Sequence, residues 1–440
     1  MLMVPFLTQL DSRAAIKGSR DPLGVQAIWT KLGRRVVGNL TTVSNSVQDF
    51  SVLLLGYYFA ALVAEDAGSE GDLATFLKWE QLAAYARAQA GKELRFRGTE
   101  RVLKRMGEGG KVTLGLSNDA QILSNQKIYG LWGLYSMPAR ASGLLGGDPG
   151  RLTRPAREFV EAQCLPLLKA AGVRDVETVL ALLRPKETSV DLRAGSRDAK
   201  LLSAIASAFA AIRQACRPLY REHLLRGVTM PETTAVQSLF GELLVDTSRD
   251  SDWSLTPKSL SILIEQARSR GEVGIDLAAR LSAIRTAEYL IAPGVALFEL
   301  VLSQEGKTVA QVAELVRAKW LDAPRHTIDV EQVRGIETWL RPGGDAATGA
   351  RWLRLAEALH RGDYEDAIHA VVEQNAAVMK ARSAAAAWVV IENGTLQVRF
   401  RDEQPTHLPK AEELRDKYWR HAYFVGSLRD VALALRGDHV

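Results

Sequence analysis

Residues 50–64 read Phe50-Ser51-Val52-Leu53-Leu54-Leu55-Gly56-Tyr57-Tyr58-Phe59-Ala60-Ala61-Leu62-Val63-Ala64, the strongest apolar run in the chain. Crossing the hydrocarbon of a bilayer takes about 20 apolar residues. This run has fifteen. Ser44, Asn45, Ser46 and Asp49 precede or open it, and Glu65 and Asp66 follow. We therefore read it as a buried core helix, with no membrane as a partner.

Helical signals dominate outward from this segment. Asp72 is placed to cap a helix carrying Leu73, Phe76, Leu77, Leu82 and Tyr85, with Gly91 as its stop. Thr256-Pro257 predicts a second start, because proline suits the first helical position, and that helix ends near Gly271. Thr308 and Gln311 form a capping box ahead of Val309, Val312, Leu315 and Val316. Asp363 opens a helix through Ile368, Val371, Val372 and Val378. After Pro409 a last helix is expected to carry Leu414, Tyr418, Trp419, Tyr423, Phe424 and Leu428.

Strand signals are local. Lys111 to Leu116 is short and β-compatible. Trp388 to Ile391 and Leu396 to Phe400 flank Asn393-Gly394, and both turn residues tolerate positive φ, which predicts a hairpin. The expected fold class is mainly α and multi-helix, with one β-hairpin near the C-terminus. No repeat or low-complexity tract interrupts it. Polar breaks at Pro185–Arg197 and at Arg341-Pro342-Gly343-Gly344-Asp345 suggest three parts: 1–187, 188–341 and 342–440.

Hydrophobic residues make up 47% of the chain and charged residues 24%, enough apolar material for a packed core and too much for a disordered chain. Met1 to Leu10 has no basic residue before its brief apolar stretch, unlike a secretory signal. Two cysteines, Cys164 and Cys216, are too few for a disulfide scaffold or a cysteine zinc site. Both features suit a cytoplasmic location. The net charge of +5 is unevenly spread along the sequence. Residues 1–160 hold 20 Lys and Arg against 14 Asp and Glu, whereas the rest hold 36 against 37. Such asymmetry points to an acidic partner at the N-terminal end, with DNA or RNA the commonest.

Catalytic and cofactor motifs fail one by one. Gly107-Glu108-Gly109-Gly110-Lys111 has Arg105 where a phosphate loop needs its first glycine and Val112 where it needs a hydroxyl. Ser124-Asn125-Gln126-Lys127 matches Ser-x-x-Lys without its companion motifs. Asp246, Ser248, Asp250 and Asp252 begin like a calcium loop, but Ser251 replaces the glycine and Pro257 the final glutamate. The seven histidines show no paired spacing, and His421 among aromatic neighbours reads as a structural residue, in a core network or on an exposed face. The hairpin offers Glu392 and Thr395 without the lysine of a nuclease. No metal or cofactor is expected, and no catalytic residue is assigned.

Residues 141–160 read Ala-Ser-Gly-Leu-Leu-Gly-Gly-Asp-Pro-Gly-Arg-Leu-Thr-Arg-Pro-Ala-Arg-Glu-Phe-Val. This segment resembles the wing of winged-helix domains such as those of small bacterial regulators. The resemblance implies strands at Ser142–Leu145 and Arg151–Thr153, a turn at Asp148-Pro149-Gly150, and a helix capped by Thr153 with Pro155 in its first turn. It extends to about sixty residues if Lys111–Leu116 is the first strand and Asp119–Ser136 the helical pair. The recognition-helix equivalent, Tyr129-Gly130-Leu131-Trp132-Gly133-Leu134-Tyr135, is too apolar to read base edges, which suits docking or assembly instead.

Arg140, Arg151, Arg154 and Arg157 would make the wing positive, and Arg95, Arg97, Arg101, Lys104, Arg105 and Lys111 form a second cluster upstream. These ten are the expected nucleic-acid-binding residues, as phosphate contacts in a non-catalytic nucleic-acid-associated or scaffold subunit of a bacterial multi-protein system. Two alternatives stand beside this. One is an enzyme, hydrolase or nuclease-like, whose site forms only in three dimensions. The other is a structural subunit docking protein partners through Tyr418, Trp419, Tyr423 and Phe424.

Overall fold

The apolar run lies inside a 21-residue helix, Val47–Ala67, longer than the run itself at both ends. Ser46 extends it by accepting a hydrogen bond from the Asp49 backbone N–H at 3.1 Å, as an N-cap does. The computed structural model describes residues 21–67, 72–91, 96–147, 150–247, 253–341, 344–382, 386–400 and 408–436. The fold is mainly α, with three separate two-stranded antiparallel pairs among these residues.

The chain forms two compact units, neither a single stretch of sequence. The first unit combines residues 1–36 with 252–423, and the second combines 37–251 with 424–440. The polar break at Pro185–Arg197 falls inside the second unit, where Thr188–Asp191 pairs with Lys111–Leu114. The break at Arg341–Asp345 falls inside the first.

In the second unit the central helix Val47–Ala67 is covered by helices Asp72–Ala90, Leu131–Ala141 and Arg197–Ala215 and by strand Arg151–Leu152. Phe50, Leu53, Leu54, Leu55 and Phe59 are fully buried. Among the described residues two helices, Val47–Glu65 and Gly271–Leu302, are long and apolar enough to cross a membrane, and 78% of the most apolar stretch of each is buried in the fold. Contact between the central helix and Asp72–Ala90 is close at Gly56, where a Cβ would stand 2.7 Å from the Phe76 ring and 2.9 Å from Trp79. The Trp79 indole N–H crosses the same seam to the Val52 carbonyl at 2.8 Å. A second fastening is polar. Asn39 donates to Ser142, His223 and Leu224, while Gln237 donates to Asn39 and accepts from the Gly38 N–H, so these buried amides are all bonded.

The first unit is built on Gly271–Leu302, against which Val25–Arg34, Pro257–Arg268 and Tyr364–Ala381 pack. The helix starts expected at Thr256, Thr308 and Asp363 are present, each with its side chain accepting the predicted backbone N–H. So is the hairpin, Val389–Glu392 with Thr395–Val398, turning at Asn393 (φ 50°) and Gly394 (φ 75°). The expected last helix is instead two, Ala411–Asp416 and Val425–Arg436. The segment between them is held out of helix by the buried Glu288 carboxylate, which accepts from the backbone N–H groups of Arg420 and His421 and from the Tyr423 hydroxyl. Tyr423 and Phe424 then take φ of 44° and 62°, a region that side chains other than glycine seldom occupy.

Gly56→Ala is expected to destabilise the protein by about 1–3 kcal/mol, because both aromatic rings it meets are fully buried and have nowhere to move. Gly426→Ala, a helical position with open space around it, serves as the control and should be neutral or mildly stabilising. Denaturant midpoints check the pair; an unchanged midpoint for Gly56→Ala would show that the seam is not tight.

Candidate nucleic-acid interface

The central helix holds the hairpin region from below. Tyr57 stacks on Trp132 at 5.0 Å, Phe76 meets the same indole edge-on at 5.2 Å, and the Tyr57 and Ser136 hydroxyls bond at 2.8 Å. These contacts seat helix Leu131–Ala141. Its first N–H, from Leu131, goes to the buried Glu80 carboxylate at 2.7 Å, and Gln126 donates to the other oxygen at 2.8 Å. Burial pushes the Glu80 carboxyl up to about 7 against these two bonds.

Beyond the helix, Leu145–Gly146 pairs with Arg151–Leu152. The first strand is shorter than the expected Ser142–Leu145. Thr153 precedes helix Arg154–Phe159, but its hydroxyl donates back to the Gly143 carbonyl at 2.8 Å and does not cap the helix. Lys111–Leu114 pairs with Thr188–Asp191 and not with this hairpin, so the two lie in separate sheets.

The downstream basic residues share this one supersecondary unit. Arg140 donates to the Gly147 carbonyl at 2.7 Å, and a Cβ at Gly150 would stand 2.7 Å from its Nη2, so the guanidinium meets both flanks of the expected turn, whose Asp148 and Pro149 lie outside the described residues. Arg151 is exposed on the strand. Arg154 pairs with Glu158 at 2.7 Å and Arg157 with Glu161 at 4.0 Å, all four with substantial exposure. Exposed i,i+4 pairs contribute little in water, so a phosphate can replace either glutamate at little cost. Ala156, Phe159 and Val160 bury the opposite face.

The upstream cluster is differently employed. Arg95 lies outside the described residues. Arg97 is half-buried beside Asp49 and Tyr135 along a cavity of about 390 Å³. Arg101 donates to the Gln121 carbonyl, and Arg105 to those of Ala120 and Gln121 at 2.9 Å each, which ties helix Thr99–Glu108 to the following loop. Lys104 is exposed with Glu108 3.6 Å away, and Lys111 is exposed on its strand. The two basic helices rest on different supports, Thr99–Glu108 on Asp72–Ala90 and Arg154–Phe159 on the central helix and Arg217–Tyr220.

Folding also redistributes the charge asymmetry of the sequence. Lys31, Arg34 and Arg35 join the first unit with residues 252–423, so the surplus of the first 160 residues is divided between the two units. Any anion site is therefore local. The same region exposes apolar side chains, Ile128 and Tyr129 at 53% each and Met137 at 69%.

Of the aromatic set near the C-terminus, Tyr423 and Phe424 are buried and Tyr418 and Trp419 partly so. His421 bonds through Nδ1 to Glu288, 133 residues away, a pairing with no signature in the sequence. Among the described residues no group of His, Cys, Asp and Glu is arranged to hold a metal, and both cysteines are buried and unpaired. No family model, curated protein or solved structure matches the chain.

Glu80 gives the module a pH dependence. Its folded-state value, about 7, lies above the ordinary 4.5, so the folded protein holds this proton more tightly than the unfolded chain. Stability from this group is complete below about 4.5 and is lost as pH rises to about 7, by up to roughly 3 kcal/mol. The difference between wild type and Glu80→Gln, measured by denaturation from pH 4.5 to 8, should carry this slope; a pH-independent difference would contradict it.

Proposed function

We propose that the chain is a non-catalytic subunit that associates with nucleic acid through the hairpin and helix of residues 140–161. The observation that carries this reading is the placement of Arg140, Arg151, Arg154 and Arg157 on one short unit anchored to the central helix, with Arg151 exposed at the surface and Arg154 and Arg157 paired with the exposed glutamates Glu158 and Glu161 four residues on. Phosphate contacts would dominate. The neighbouring helix presents Met137 and few polar groups, so it has little with which to read base edges. Lys104 and Lys111 would add weaker contacts, whereas Arg101 and Arg105 serve the fold.

A second reading is favoured by the exposed Ile128, Tyr129 and Met137: the same region docks a protein, and the chain acts as a scaffold.

Fluorescence anisotropy with duplex and single-stranded DNA over rising salt separates the two. The nucleic-acid reading predicts binding at low salt whose logarithmic salt slope falls by roughly two to three when Arg151, Arg154 and Arg157 are all changed to Ala, since each phosphate contact contributes about 0.9. Undetectable binding at low salt, or an unchanged slope in the triple variant, overturns it in favour of protein docking.

A further inference from the structure

The cavity of about 390 Å³ beside Arg97 opens at the head of the central helix Val47–Ala67, within the usual range for small-molecule sites. All of its lining belongs to the second unit. Two carboxylates and two guanidinium groups stand in its wall, those of Asp49, Asp430, Arg97 and Arg213. The carboxylates are already answered. Asp49, 5% exposed, meets the buried Arg87 guanidinium at 2.6 Å and accepts from the Tyr135 hydroxyl at 3.3 Å. Asp430 accepts from the Asn45 amide at 2.8 Å and has Arg429 3.7 Å away. The guanidinium groups are not so engaged. Arg97 is half-buried and acts on the Glu80 carboxyl through space, while Arg213 is exposed at the surface. Neither has an ion pair or a side-chain hydrogen bond among the described residues.

The helix adds donors of its own. Ser46 answers the Asp49 N–H, but the N–H groups of Val47 and Gln48, the first two of 21 helical residues, have no acceptor among the described residues. A helix start with open N–H groups favours negative charge, which the aligned peptide dipoles reinforce. The Gln48 side chain is a separate sign of an occupant. It lines the cavity, is 7% exposed, and bonds no described residue. Neither of its amide atoms is among the partnerless polar atoms sealed from solvent, so an occupant can reach them. A buried amide without a partner is costly, and an occupant that accepts from it removes that cost.

The unengaged groups are thus two cations, two backbone N–H groups and one amide. An apolar or cationic occupant would leave them unanswered, and a single carboxylate carries one charge against two arginines. A phosphate group brings a charge of about −1.5 to −2 at neutral pH and several acceptor oxygens. We propose that this cavity binds a phosphate group, held by Arg97, Arg213, Gln48 and the N-terminus of the central helix. It does not rest on the nucleic-acid reading, which concerns residues 140–161. The group belongs either to the free ion or to a small phosphate monoester, and the binding chemistry is the same for both.

Calorimetric titration of the full chain with inorganic phosphate, methyl phosphate and succinate tests it. Inorganic phosphate or methyl phosphate should bind, and the tighter of the two names the source. Arg213→Gln, at an exposed position, should weaken that binding about tenfold, and Gln48→Leu, which keeps the side-chain volume and removes the amide, should do the same. The triple change of Arg151, Arg154 and Arg157 to Ala should leave it intact, which separates this site from the hairpin. Four results overturn the proposal: no binding at millimolar phosphate and methyl phosphate; succinate bound as tightly as either; affinity unchanged in Arg213→Gln or in a Gln48→Leu protein of wild-type melting temperature; or binding lost in the triple variant.

Discussion

The close approach of two buried helices at Gly56 is the constraint on which the second unit depends. A side chain there would drive into Phe76 and Trp79, so the seam closes only because position 56 has no Cβ. Once closed, it fixes Tyr57 against Phe76, both rings meet Trp132, and through that indole the helix Leu131–Ala141 takes its place. The hairpin and the helix bearing Arg154 and Arg157 then rest on the same central helix. The location of the basic unit is thus a consequence of apolar packing, not of its own charges.

Charge and engagement proved separable in these arginines. Ten basic residues look equivalent as letters, yet Arg105 meets two backbone carbonyls at 2.9 Å while Arg154, 88% exposed, is paired among the described residues with Glu158. Guanidinium groups satisfied by buried-side carbonyls are poor candidates for phosphate, because leaving those carbonyls unbonded has a cost that a surface ion pair does not carry. The surplus along the first 160 residues is likewise a property of sequence order; Lys31, Arg34 and Arg35 fold with the distant chain segment 252–423.

Local signals were legible, and long-range ones were not. Thr256, Thr308 and Asp363 mark their helices because a cap is a contact three residues long, and Asn393-Gly394 marks its hairpin because the turn's positive φ is a local demand. The break in the final helix escaped this kind of reading. Its cause is Glu288, a carboxylate 132 residues from Arg420, whose bonds outweigh the helical pattern of residues 417–424. The same distance hides the cavity wall: Gln48, Arg97 and Arg213 have no spacing in common. The interleaved units were also beyond reach, since polar breaks report on exposure and not on which segments pack together.

Hydrogen–deuterium exchange with and without a bound duplex tests most directly whether residues 140–161 form the contact surface. Slowed exchange is expected across the hairpin and helix Arg154–Phe159, with Thr99–Glu108 unchanged. Protection confined to Thr99–Glu108, with the hairpin exchanging as in the free protein, would contradict it.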